Sequence, residues 1–438
     1  MHNGSKACGS VYTDLTRMPD TCTDIEDVIY IEVPPVNSVS DSSNLPLEFY
    51  VKGTPDYYPD LSSTEILGLV KVTHADGTAL DDKEHVGPVN NFAHAMFSQI
   101  DLWLNDQLVT NNNGLYPNRA YFETLLSHGI TATWLEGSMF HVDTHDGFDQ
   151  TNPSGSPINI GYIVRSKYIA KSKVADFIFR PHLDMFMQER PVLNNVDIRL
   201  KLTRSSPEFC LMAVGGVSYK ISITHAALFV RCVKLNSPVM LQHKHVLSTN
   251  GKAVYPLRKV DMQTFTIGAG LLSHVRPNII TGHLPRRIIV GFTTNKAVNG
   301  VYPHSYCRFR PYGVNHINLL VNGRSVPSRP YTPNFIDSNG SGVQYARCYN
   351  ALSQVCKLTH TDRGNAITRA GYGDGFTLFA FSLAEDWGDD VFGLVREGTV
   401  QLEVKFAVPT PEVLNSTVYC EYEKTICIDK NGTVSLDN

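Results

Sequence analysis

The residue types best suited to chemistry occur together in a short run of histidine and aspartate, namely His141, Asp143, His145 and Asp146. Three of these alternate along the chain, so on a β-strand they would share one face, and imidazole and carboxylate groups are metal ligands. A zinc or calcium site needs further ligands, and the sequence indicates none. Because loose His and Asp spacing is weak motif evidence, we interpret the run as a polar loop.

Other candidate motifs are equally incomplete. His243-Lys244-His245 lies between the two halves of the chain, and Gly268-Ala269-Gly270 lacks the spacing of a nucleotide-binding loop. The carboxylates Glu385-Asp386 and Asp389-Asp390 could imitate a glycosidase pair, but we interpret them as a solvated loop around Trp387. Neither a Gly-x-Ser-x-Gly nor a Walker A motif is present. We therefore expect no catalytic residue, no metal ligand and no cofactor.

Length and composition predict a mostly β protein with two or three domains. The chain has 438 residues, of which only 18% are charged, and it contains 20 Tyr and 20 Phe. The net charge is −4, and no cluster of Lys and Arg indicates sequence-specific nucleic-acid binding. The densest basic stretch, at Arg286 and Arg287, borders an apolar run and is expected to flank a strand.

Cysteine usage and hydropathy indicate the compartment. Nine cysteines without a Cys-x-x-Cys pair are typical of reduced thiols. Met1–Ser10 lacks the apolar core of a secretory signal, and no run approaches 18 apolar residues. We therefore expect an intracellular protein without a membrane span.

Two segments alternate cleanly between apolar and polar residues. Val196–Leu202 reads VDIRLKL, and Val400–Phe406 reads VQLEVKF. A period of two indicates a strand with one buried face and one solvated face, because successive side chains point to opposite sides of a sheet.

Two further segments predict tight hairpins. Ile100–Val109 (IDLWLNDQLV) and Ile317–Val326 (INLLVNGRSV) each contain a strand, an Asn-Asp or Asn-Gly turn and a returning strand. Asn and Gly tolerate the positive φ values that a type I′ turn requires. The two segments match at Ile, Leu, Asn and Val without a gap.

Four features recur in the same order in the two halves: a hairpin, a short helix, an alternating strand and a final strand. The predicted helices are Ala120–Leu126 and Tyr345–Val355, and the final strands are Ile221–Leu235 and Thr417–Ile428. The copies lie roughly 200 residues apart, a spacing that indicates a duplicated domain rather than a short repeat.

The duplication predicts the domain division. Residues 1–40 are expected to form an N-terminal arm, poorly ordered or extended, followed by one sandwich at 41–240 and a second at 241–438. An eight-stranded jelly roll with long loops needs roughly 150–200 residues. The predicted fold class is therefore all-β, with two tandem eight-stranded antiparallel jelly rolls and short helices in the loops.

Five blocks of sequence carry a family resemblance. They span most of the chain in order and are Asp81–Val109, Tyr116–Gly129, His182–Ser205, Leu284–Phe292 and Gly375–Leu383. Together they resemble the double jelly-roll, hexon-like major capsid proteins of adintoviruses and Polinton/Maverick elements. The first 40 residues differ from the family, so nothing is carried over to them.

The resemblance implies a structural protein of an icosahedral double-stranded DNA virus or virus-like element. It implies a homotrimer, pseudo-hexagonal in outline, that contacts neighbouring capsomers as well as penton and minor capsid proteins. The expected location is the virion capsid, assembled inside the host cell, with the nucleus as the expected site.

Three alternatives remain open at this point. A jelly-roll carbohydrate-binding (lectin-like) protein shares the fold class, which does not by itself define function. A domesticated cellular relative of a viral capsid protein would share the sequence. A minor capsid or penton protein typically needs one jelly roll, whereas this chain has room for two.

Overall fold

The structure is a computed structural model, and it describes most of the chain. The described residues are 22–37, 45–82, 84–111, 113–129, 132–249, 251–337, 342–359, 361, 364–384 and 392–437. Most of the predicted arm and the carboxylates at 385–390 therefore lie outside the described residues. The described part of the arm contains a strand, Ile25–Val33, which joins the first sheet.

Among the described residues, the first half has ten strands. They are β1 (Ile25–Val33), β2 (Leu47–Val51), β3 (Tyr57–His74), β4 (Val86–Pro88), β5 (Phe97–Leu104), β6 (Gln107–Leu108), β7 (Val174–Phe179), β8 (Ile198–Arg204), β9 (Leu211–Ala213) and β10 (Tyr219–Leu235). Eight of them form two antiparallel four-stranded sheets in the orders β1-β10-β3-β7 and β2-β8-β5-β6, and β4 pairs with β9.

The described part of the second half has nine strands. They are β11 (Ala253–Ile267), β12 (Ser273–His283), β13 (Arg287–Thr294), β14 (Val314–Val321), β15 (Arg324–Tyr331), β16 (Leu378–Ser382), β17 (Glu397–Phe406), β18 (Leu414–Ile428) and β19 (Val434–Asp437). Their sheets have the orders β11-β18-β13-β16 and β12-β17-β14-β15, with β19 added beside β18.

The two halves have the same strand order. When the eight sheet-forming strands of each half are numbered along the chain, both halves give a 1-8-3-6 sheet and a 2-7-4-5 sheet. This is the connectivity of a jelly roll, in which two Greek keys close a double sheet. The predicted fold class is confirmed.

Helices occupy the connections between strands. They are α1 (Phe92–Ala95), α2 (Tyr116–Ser127), α3 (Ile160–Ile169), α4 (Pro207–Cys210), α5 (Ser237–Ser248), α6 (Asn295–Val298), α7 (Ala346–Val355) and α8 (Arg369–Gly373), with 3₁₀ turns at Thr133–Ser138, Ala170–Ser172 and Asp184–Phe186. Both predicted short helices are confirmed, as α2 and α7. Within the described ranges, no helix has the length and apolar character needed to cross a bilayer.

The local patterns seen in the sequence have the expected structural causes. Alternate residues of β8 and β17 are buried, which gives each strand one apolar face against the core. In the second hairpin, Asn322 and Gly323 have φ values of 49° and 78°, as a type I′ turn requires. In the first hairpin, Asn105 has a φ of 52°.

The strand order separates two ends of each sandwich. Successive antiparallel strands reverse direction. In the 1–8 numbering of the sheet-forming strands, connections after even-numbered strands therefore lie at one end of the sandwich, and connections after odd-numbered strands lie at the other. The first set includes the tight turns at 105–106 and 322–323, whereas the second includes the loops at 109–173 and 332–377. We call these the short-turn end and the long-loop end. Helix α5, which joins β10 to β11, lies at the short-turn end.

Candidate functional site at the junction of the two jelly rolls

Helix α2 of the first half is inserted into the core of the second half. Pro117 lies in the first turn of the helix, where a missing backbone N–H costs no helical hydrogen bond, and nearly every later residue is buried. The ring of Phe122 lies parallel to that of Tyr419 at a centroid distance of 6.1 Å and meets Phe309 edge-on at 5.1 Å. Tyr121 also contacts Phe309, at 6.3 Å. The helix therefore joins the two cores through aromatic packing.

A buried ionic network runs along the same helix. Arg119 donates from Nε to Glu123 Oε1 at 2.9 Å, and its Nη2 lies 2.7 Å from Asp184 Oδ1. His182 Nδ1 is 2.6 Å from Glu123 Oε2. The backbone N–H of Val260, at the start of the second half, donates to Asp184 Oδ1 at 3.2 Å. The network thus reaches from the first jelly roll to β11 of the second.

Burial and neighbouring charges shift the pKa values of the two network carboxylates in opposite directions. Burial alone would raise the pKa of Glu123, but attraction from Arg119 and His182 lowers it to about 2. Burial of Asp184 raises the pKa of its carboxyl even though Arg119 opposes the shift. The pKa of the Arg119 guanidinium is raised: burial would lower it, but the two carboxylates more than offset that effect. Glu123 and Arg119 are therefore both charged near neutral pH.

A neutral histidine borders this network. His94 is 3% exposed, and its Nδ1 lies 2.8 Å from the Tyr116 hydroxyl. Its ring also meets that of His182, at 4.8 Å between centroids. Burial and the neighbouring His182 hold the pKa of His94 well below its ordinary value.

The His/Asp run singled out in the sequence lies in the loop before α3, where it has a structural role. Asp143 is buried and pairs with Arg165, with 2.6 Å between Oδ1 and Nη2. Arg165 also donates to the carbonyl oxygens of Pro88, at 2.9 Å, and His141, at 2.6 Å. His145 is half-buried nearby. In the described part of the chain, no group of three or more His, Cys, Asp or Glu residues is arranged to hold a metal ion.

Other residues singled out in the sequence also take part in structural contacts. His243 lies on α5, with its Nδ1 3.3 Å from the Tyr58 hydroxyl. Arg286 pairs with Glu423 at 2.8 Å, and Arg287 pairs with Glu421 at 2.5 Å, so the basic stretch flanks β13 as expected. The eight cysteines among the described residues are all free thiols.

Contacts between the halves extend beyond α2. Phe148 meets Phe376 at 5.0 Å, and Asp149 pairs with Arg308 at 2.5 Å. At the short-turn end, the Asn105 side chain donates to the carbonyl of Gly432 at 2.6 Å. The two jelly rolls therefore contact each other at both the long-loop end and the short-turn end. Sequence reasoning missed this junction, although Arg119 and Glu123, which are four residues apart and are the only charged residues of the helix, were a possible signal.

Sequence comparison finds a relative that matches nearly the whole chain. No family model matches the chain. An uncharacterized protein of Caenorhabditis elegans is 25% identical over 430 residues, which cover 94% of this chain and 97% of that protein.

Solved structures from viruses match the chain along nearly its whole length. A chain of the Sputnik virophage gives a TM-score of 0.65 at 13% identity, covering 99% of this chain and 93% of its own. The mavirus major capsid protein gives a TM-score of 0.54 at 10% identity, with coverage of 99% and 95%. At such identities the shared property is the fold. The chain has the double jelly-roll fold found in viral major capsid proteins.

Proposed function

We propose that the protein is a structural major capsid protein that forms homotrimeric, pseudo-hexagonal capsomers of an icosahedral double-stranded DNA virus or virus-like element. The observation that carries this proposal is the repeated 1-8-3-6 and 2-7-4-5 strand order, which makes the two halves architecturally equivalent. The likeness to the mavirus major capsid protein along 99% of the chain supports it.

The geometry suits a shell subunit for a physical reason. Three copies of a two-sandwich subunit around a threefold axis present six similar walls, which is the outline needed to tile against six neighbours. Each wall must keep its orientation when neighbours press on it. The junction around α2 provides that rigidity, because separating the jelly rolls would expose the Phe122 ring to water and break the hydrogen bond from Val260 to Asp184.

Finer features belong to the same proposal. The jelly rolls comprise residues 41–240 and 241–438, and the N-terminal arm at 1–40 supplies strand β1 to the first of them. The 240/241 division falls within α5. The protein acts in the virion capsid, without catalysis, and contacts neighbouring capsomers, penton proteins and minor capsid proteins. Assembly takes place inside the host cell, in the nucleus.

Light scattering coupled to size-exclusion chromatography tests the proposal directly. The full chain is expected to elute with about three times its 48.6 kDa mass, and negative-stain images should show particles of hexagonal outline. A chain that stays monomeric across the micromolar range and shows no hexagonal particles would refute the capsomer proposal. Glycan binding by such a monomer would instead support the carbohydrate-binding alternative.

A further inference from the structure

One sheet of the second jelly roll has its outer face covered by the first jelly roll. In the sheet β11-β18-β13-β16, Tyr419 and Ile289 are cross-strand partners, and both are buried. They lie on the side away from the other sheet, because Phe292, on the opposite side of β13, packs on Phe406 of β17. The ring of Phe122 from α2 lies over Tyr419. This outer face is therefore covered within the same chain.

The counterpart sheet of the first jelly roll, β1-β10-β3-β7, has an outer face that solvent can reach. Leu228 and Ile66 are buried in the core, so the residues next to them, Phe229 and Glu65, point outward. Glu65 is exposed and Phe229 is half-buried. Two residues further along β3, Leu67 is half-buried on the same side. We call this surface the open face, and it includes Glu32, Glu65, Leu67, Lys71, Val174, Asp176 and Phe229.

The β7 side of the open face carries exposed apolar side chains. Val174, at the start of β7, is 54% exposed. The 3₁₀ turn Thr133–Ser138 packs beside β7, and its Trp134 is 63% exposed. Exposed apolar side chains that lie together on a surface are typical of a site that contacts another protein.

The open face is also negatively charged. Glu32, Glu65 and Asp176 are exposed, and none of them forms an ion pair with another described residue. The cations on this side of the sheet are Lys71 and Arg231, and Arg231 is already paired with a carboxylate of β3. A basic surface with some apolar area would therefore complement the open face.

The second jelly roll carries such a basic surface on the counterpart of α2. Helix α7, like α2, lies between the fifth and sixth sheet-forming strands of its half. Nearly all of α2 is buried, whereas Arg347, Asn350 and Gln354 form an exposed row on α7. From β15 to residue 359 the chain has four basic side chains and one acidic one, namely Arg324, Arg329, Arg347, Lys357 and Asp337.

We propose that the open face of one copy binds the α7 side of a second copy, with Leu67 and Phe229 against the exposed row of α7 and Arg347 beside Glu65. The contact repeats between copies what α2 does within the chain. It joins two different surfaces, so it is a head-to-tail contact that can close into a ring. The inference rests on the proposed homotrimer and specifies which surfaces form it.

Photocrosslinking on the purified trimer tests the position of the contact. With p-benzoylphenylalanine in place of Asn350 in the full chain, mass spectrometry is expected to find crosslinks to peptides covering residues 65–71 or 225–231. Trimers assembled from isotope-labelled and unlabelled subunits should show these crosslinks between differently labelled copies. The same probe in place of Leu241, on α5, should give none of them. Trimers with crosslinks only within one chain, at other peptides or nowhere would overturn the inference but leave the capsomer proposal standing, whereas a chain that stays monomeric would overturn both.

Substitutions on the two surfaces provide an independent readout by light scattering. Leu67→Lys brings a cation to the basic surface and should leave monomers of 48.6 kDa, whereas Leu241→Lys, the same change on α5, should leave the trimer intact. Glu65→Arg and Arg347→Glu should each weaken association by about tenfold, and the two changes in one chain should restore most of it.

Two results would refute the contact: a trimer of normal affinity from Leu67→Lys, or a double charge variant that associates more weakly than either single one. If circular dichroism shows that Leu67→Lys does not fold, the charge exchange decides alone.

Discussion

Replacement of Phe122 by alanine measures how far the junction holds the two jelly rolls together. The side chain is fully buried and touches Phe309 and Tyr419, both in the second half. Removing a buried Phe typically costs about 3–5 kcal/mol, a figure that combines lost transfer energy with the cavity left behind. Two aromatic pairs, each worth about 0.5–1.5 kcal/mol beyond buried area, place this site in the upper part of that range. We expect a loss of about 4–5 kcal/mol.

Urea unfolding followed by intrinsic fluorescence gives the free energy and the cooperativity together. Phe122→Ala should lower the midpoint and separate the transition into two steps, because the halves lose their shared core. Phe49→Ala, a fully buried change confined to the first jelly roll, should cost a similar amount but disturb that half first. Tyr30→Ala, at a side chain 66% exposed, should change stability by less than about 0.5 kcal/mol. If Phe122→Ala behaved like Tyr30→Ala, packing around α2 would not be holding the halves together.

Three further predictions concern buried ionisable groups. Folding lowers the pKa of His94, so the unfolded chain takes up a proton first as the pH falls below about 6.5. The free energy of unfolding should therefore drop by up to about 1.4 kcal/mol per pH unit. His94→Gln should remove this part of the pH dependence in urea titrations from about pH 7.5 to 5.5. The pKa of Glu123 is lowered to about 2, so Glu123→Gln should cost about 3 kcal/mol at pH 7, and the difference from wild type should shrink as the pH falls from about 4.5 towards 2. Arg165→Met should cost about 3–5 kcal/mol because it leaves Asp143 charged and buried, and Asp143→Leu in the same chain should recover much of that loss.

Each of these predictions has a matched control. His245→Gln, on the exposed face of α5, should leave the pH slope unchanged; a slope that His94→Gln does not alter would place the titrating group elsewhere. Glu397→Gln, at an exposed carboxylate, should have little effect at any pH, and a pH-independent cost for Glu123→Gln would contradict the ionic network. For Arg165, a double variant no more stable than the single one would show that lost packing, not the unpaired charge, dominates.

The fold was largely predictable from local sequence because jelly-roll strands bury one face. Burial of alternate residues in β8 and β17 follows from the period-two pattern of Val196–Leu202 and Val400–Phe406. The turn at Asn322 and Gly323 follows from the positive φ values that these residues tolerate. Strand existence and hairpin position depend on neighbouring residues, and the duplication is a repetition of these local patterns, so the sequence alone could indicate all three.

The junction was not predictable in the same way, because its partners are distant along the chain. Helix α2 could be recognised as a helix, but nothing local shows that Phe122 packs on Tyr419, nearly 300 residues away. The run at His141 and Asp143 looked like metal chemistry until the fold brought Arg165 onto Asp143. Side-chain types and their periodicity determined the elements and their repetition. Only tertiary packing decided which charges are neutralised, which histidine stays uncharged and which helix unites the two cores, since those outcomes depend on burial and on partners that sequence separation conceals.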